Sequence, residues 1–159
     1  FNWHNLVEWV GGGEREQCYG IVRAGNTGPK PAYVAYAVAA NQLAGARLIG
    51  RANQWGQPCP EELLGKGPLF SELRPANVHS VDGYLFDKSG KGLLVVWSIS
   101  GRTEKIEIPA TQSVTCFDIY GRKSKLAPRG GRIALDVTGS PVFLMGVDSI
   151  LLQQNLSQN

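Results

Sequence analysis

The chain has 159 residues, of which 43% are apolar and 18% charged, with a formal net charge of +3. Such a composition buries a core and is not that of a disordered segment, while so modest a charge lacks the basic stripe of a nucleic-acid binder. No run reaches the roughly 18–20 apolar residues that cross a bilayer as a helix, so neither nucleic acid nor a membrane is an expected partner.

The opening FNWHNLVEWVGGGE (1–14) has no Met start, basic leader or apolar signal core; Phe1, Trp3, His4 and Trp9 run directly into Gly11–Gly13. Chain starts are usually polar and frayed, so this stretch reads like the inside of something larger. CYGIVRA (18–24) is a short β-branched run that ends in the turn-rich GNTGPKP. In PAYVAYAVAANQLAGA, Tyr33, Tyr36, Ala37, Ala40, Leu43 and Ala44 recur at steps of three and four, giving one apolar stripe. Pro31 fits a first helical turn and Gly45 a C-terminal cap, so the pattern predicts a helix over 31–44. Residues 51–79 are broken by Gly56, Pro58, Pro60, Gly65, Gly67, Pro68 and Pro75. They read as a connector between domains, because so long a loop is unusual inside a compact one.

From 80 to 147 the pattern is nearly all strand. GYLFD and GLLVVWSIS flank KSGK, a hairpin signal. TEKIEIP alternates, with Thr103, Lys105 and Glu107 on one face and Ile106 and Ile108 on the other. SVTCFDIYG and GRIALDVTGSPVFLMG follow, with turn residues every eight to twelve positions. This spacing predicts an antiparallel β-sandwich or small barrel, and the fold class is mostly β. Arg122, Lys123 and Lys125 form a basic turn, expected to be a solvated hairpin tip. Phe86, Trp97, Phe117 and Phe143 fall in strand patterns and are expected in the core, although Tyr84 and Trp97 are alternatively an exposed carbohydrate-binding strip. The tail 148–159 is polar after Leu152 and is expected to fray.

Chemistry-bearing residues are sparse. Cys18, Cys59 and Cys116 contain no CxxC, so no metal knuckle and no cofactor is expected; a Cys18–Cys59 bridge and buried free thiols both stay open. The histidines are His4 and His79 alone, and there is no G-x-S-x-G, which argues against Ser/His/Asp catalysis. Glu8, Glu14 and Glu16 surround the Gly11–Gly13 loop, which cannot hold acids rigidly. Glu61 and Glu62 suit the start of a short helical turn.

YGIVRAGNTGPKPAYVAY (19–36) resembles the last βα unit of clan-A-type glycoside hydrolases, with Gly20, Val22, Arg23, Gly28, Pro29, Lys30, Pro31, Ala32, Tyr33 and Tyr36 at matching places. AGNTG stands where that family carries an Asp-Gly-Thr turn. GYLFDKSGKGLLVVWS (83–98), VTCFDIYGRKSKL (114–126) and LDVTGSPVFLMG (135–146) are similar to parts of the β-sandwich that follows the barrel in many such enzymes.

The resemblance implies that 1–50 is the terminal βα unit of a (β/α)8 barrel, 51–79 a connector and 80–147 the sandwich. FNWHN would then be the end of the eighth barrel strand at the active-site mouth. It further implies that the two catalytic glutamates lie upstream of residue 1, so that no catalytic residue is expected in this chain. Trp3, His4, Asn5 and Trp9 are the candidate substrate-binding residues: Trp3 would offer an aromatic platform to a sugar, and His4 and Asn5 hydrogen bonds to hydroxyls. The implied partners are an oligo- or polysaccharide, met through the parent barrel, and the remainder of that barrel. A secreted or periplasmic setting is favoured. The sandwich should contact 31–50, with Leu48 or Ile49 among the contacts, and brace the barrel. A free-standing carbohydrate-binding sandwich or a structural assembly domain is the alternative.

Overall fold

A computed structural model describes residues 22, 29–52, 55–56 and 79–156. Backbone contacts divide the chain into two compact units, 1–44 with 119–121, and 45–118 with 122–159. In the first unit, helix α1 spans Pro31–Leu43, with proline at the start, where its missing N–H has no helical partner to lose. The Ala44 N–H donates to the Ala40 carbonyl, and Gly45 follows at φ +71°, the left-handed conformation that ends a helix. The stripe read from the sequence lies on the open side: Tyr33, Tyr36, Ala37 and Ala40 are exposed, and Gln42 is the buried residue. The cause is that PAYVAYAVAANQL is apolar nearly all round, so its periodicity does not choose one inward face.

The second unit is antiparallel β, as its spacing of turns predicts. Among the described residues, one sheet has six strands in the order β1-β2-β3-β8-β5-β6, and the other pairs β4 with β7. The strands are β1 Arg47–Arg51, β2 Val81–Lys88, β3 Lys91–Ser98, β4 Glu104–Pro109, β5 Val114–Phe117, β6 Lys123–Leu126, β7 Arg132–Val137 and β8 Val142–Val147. Ser89 and Gly90 close the β2–β3 hairpin with φ of 55° and 78°. Two central residues at positive φ match the twist of the flanking strands, and the Asp87 carboxylate accepts the Gly90 N–H at 3.0 Å. In β4, Ile106 and Ile108 are buried while Lys105 and Glu107 are exposed. With Ile133 and Val137 of β7 they join Val81, Leu85, Leu94, Val96 and Leu144 of the large sheet in one core. Gly92 lets β3 and β8 approach, since a Cβ there would stand 2.4 Å from the Val147 carbonyl oxygen.

Two boundaries differ from expectation. Residues 47–51 are the edge strand of the sandwich, pairing Leu48 with Phe86 and Arg51 with Tyr84, so the compact units part at 44/45 rather than at 50. Ala52 and Trp55, placed in the connector by the sequence reading, belong to the sandwich core. The expected frayed tail is instead helix α2, Ser149–Leu156, which buries Leu152 completely in that core. Its start is capped by Asp148, whose Oδ1 accepts the N–H groups of Ile150 and Leu151 at 3.1 Å each.

Candidate functional surface

Residues directly opposite in a ladder share a face of the sheet. Leu85, Leu94, Leu144 and Cys116 point to the core, and their strand neighbours therefore point to the other side. There the register builds a row across the whole sheet: Arg51, Tyr84, Val95, Phe143, Phe117 and Lys123. The next row holds Leu48, Phe86, Leu93, Met145, Thr115 and Lys125. An antiparallel sheet with one solvated face would be polar here. Instead Leu93 is 0%, Phe143 3% and Val95 8% exposed, values of a packed interior. Cations stand at both ends of the first row, and Lys123 Nζ lies 5.5 Å from the centre of the Phe117 ring, within cation–π range. The sheet thus has two apolar faces, the second bounded by charge.

At one margin of this face sits its most polar cluster. Arg51 donates to Asp82 through Nε and a terminal nitrogen at 2.9 and 2.8 Å, and Asp82 Oδ1 also accepts the Gly83 N–H at 2.9 Å. The Asp82 carboxylate raises the Arg51 guanidinium above its ordinary value by this hydrogen bonding, against a smaller opposing effect of burial. Tyr84 and Trp97 lie beside it, their ring centres 5.9 Å apart and planes 27° apart. Both rings are half-buried. Trp97, Phe86 and Phe117, expected in the core, are half-buried on this second face; Phe143 is fully buried there. With both Asp82 oxygens engaged, the pair fastens β1 to β2 and has little bonding capacity left for a ligand.

Three further carboxylates are likewise held. Asp118 accepts from Arg122, Glu107 stands 3.5 Å from Arg132, and Glu104 accepts the Ser100 hydroxyl at 2.8 Å. His79 Nδ1 lies 3.2 Å from the Gly56 carbonyl oxygen. Cys116 is a buried free thiol, and burial pushes its pKa up. Among the described residues no group of three or more His, Cys, Asp or Glu could hold a metal ion. Trp3, His4, Asn5 and Trp9 lie outside the described residues, as do Cys18, Cys59, Glu8, Glu14, Glu16, Glu61 and Glu62. Sequence reasoning missed the Arg51–Asp82 pair; its partners are 31 positions apart, and no periodic signal links them.

No protein-family profile and no curated protein sequence matches the chain. Among solved structures it is similar to a family 39 glycoside hydrolase from the gut symbiont Bacteroides cellulosilyticus WH2, at 19% identity and a TM-score of 0.58, over 85% of this chain and 23% of that one. An Anoxybacillus alpha-amylase matches at 8% identity and a TM-score of 0.33, over 44% of this chain and 16% of that one, too weakly to bear on the fold. The likeness to the family 39 glycoside hydrolase is one of fold, and the chain spans about a quarter of that enzyme's length.

Proposed function

We propose that the chain is an accessory piece of a glycoside hydrolase, in which the sandwich braces a catalytic (β/α)8 barrel and supplies no catalytic carboxylate pair. In this reading Trp3, His4, Asn5 and Trp9 belong to the sugar-facing mouth of the barrel, with Trp3 stacking on a pyranose ring. The observation that carries it is the second apolar face of the six-stranded sheet. Leu93, Val95 and Phe143 are buried on the side away from the core. These side chains are covered within the chain itself, as in a sheet held at a fixed angle against a further layer, which favours a bracing part over a free-standing sandwich. The fold likeness adds support, because it extends over 85% of this chain.

The test has two arms. The chain alone is assayed for hydrolysis of aryl glycosides and for retardation in native gels that contain neutral soluble polysaccharides. No hydrolysis and no retardation is the expected result. Hydrolysis by the isolated chain would overturn the accessory reading. Retardation abolished by Trp97→Ala would replace the brace by a carbohydrate-binding module that uses the Tyr84–Trp97 pair.

A further inference from the structure

At one end of the sandwich the β2–β3 turn, the β4–β5 turn and the β8–α2 junction line a half-open cleft of about 380 Å³. Its polar lining is Lys91, Gln112, Ser113, Thr115 and Ser149. Two of its walls are glycine: Gly90 and Gly146 hold φ of 78° and 90°, conformations that resist a side chain, and this keeps the space open. Among the described residues no carboxylate lines it. The nearest acids in sequence face other duties: Asp87 accepts the Gly90 N–H and lies 3.9 Å from Arg47, and Asp148 caps α2. The ammonium, amide and hydroxyl groups of the lining make no hydrogen bond or ion pair with another described residue. Their donors are free to converge on one acceptor-rich guest.

We propose that this cleft binds an acidic monosaccharide unit, with Lys91 meeting the carboxylate and Gln112, Ser113, Thr115 and Ser149 meeting ring hydroxyls. Among the described residues no aromatic ring lines the cleft, so the recognition they offer rests on charge and hydrogen bonds rather than stacking. The volume lies at the small end of ligand pockets and suits one sugar ring. The choice of a sugar as guest rests on the glycoside-hydrolase reading, and Thr115 and Met145 of the lining also belong to the outer row of the second face; the test, a free monosaccharide on the chain alone, can fail while the bracing role stands.

The full chain is labelled with ¹⁵N and titrated with glucuronate, glucose or acetate while the amides of Gly90, Gly92 and Gly146 are followed. Glucuronate should move these amides saturably, with glucose and acetate each weaker by about tenfold, the weight of one charge-assisted hydrogen bond. Lys91→Met, at an exposed position, should weaken glucuronate binding by about tenfold, and Gln112→Ala by a smaller factor. The proposal is overturned if glucuronate leaves the amides unmoved, if glucose or acetate binds as tightly, or if both variants bind as the wild type does.

Discussion

Replacing Asp82 by Ala should release the edge strand β1 while leaving the centre of the sheet closed. Two losses set the size. The Gly83 N–H, in a buried residue, loses its acceptor, which costs about 1–3 kcal/mol. The pair with Arg51 is also lost; it lies between the surface and buried extremes, because the side chains are 33% and 11% exposed. Surface pairs contribute about 0–1 kcal/mol, and breaking a buried one costs about 3–5. Arg51 can turn its exposed third to water, so the lower half of that range applies and the total is about 3 kcal/mol. For a domain of this size that lowers the melting temperature by about 10 °C.

The assay is urea unfolding followed by circular dichroism on Asp82→Ala, Arg51→Ala and the double variant, with hydrogen exchange on each. A coupling energy of about 1–2 kcal/mol is expected. Exchange should quicken at the amides of Arg47–Arg51 and stay slow in β3 and β8. If the single substitutions add and Asp82→Ala costs less than about 0.5 kcal/mol, the pair does not fasten the strand and the argument from its geometry fails.

Ile49→Asp should cost about 2 kcal/mol by urea unfolding because Ile49 packs against the core, whereas Leu48→Asp should cost under about 0.5, Leu48 being 54% exposed. Gly92→Ala should destabilise by roughly 1–3 kcal/mol, since the added methyl meets the Val147 carbonyl; an unchanged midpoint would deny that the β3–β8 approach is tight. The raised Cys116 pKa makes stability full at neutral pH and lost as pH rises above about 8.5, where the unfolded thiol ionises and the folded one does not. Cys116→Ala should flatten that alkaline decline in a pH series of unfolding curves. Limited proteolysis between residues 57 and 78 should leave the fragment carrying β1 bound to the rest of the sandwich in a native gel; its departure would show that the ladder to β2 and the core contacts of Ala52 and Trp55 are insufficient.

What could be read from the sequence followed how many faces each segment buries. β4 buries one, so Ile106 and Ile108 alternate with charged residues and the strand is plain. β3 reads GLLVVW without alternation because both its faces are covered; it is recognisable as a strand, but the pattern cannot say which residue faces the core. β1 was invisible for the opposite reason: RLIGR is five residues long, carries an arginine at each end, and acquires strand structure only by pairing with β2. For α2 the signal was Asp148 ahead of Ile150, Leu151 and Leu152, a cap before an apolar run that the polar tail obscured. The ion pair and the cleft are products of tertiary closure, joining loops that no local spacing connects.

The strand order also fixes when the sandwich can close during synthesis. β8 lies between β3 and β5, yet it is the last strand to leave the ribosome. Until Val147 has emerged, the ladder of β1, β2 and β3 shares no strand pairing with that of β5 and β6. Each meanwhile shows a bare edge, at β3 and at β5, flanked by apolar side chains that would template pairing with another chain. Nascent chains that stall before Val142 should therefore aggregate or recruit chaperones, and one that continues through Leu152 should not. The strand made last is the one that makes the two halves a single sheet.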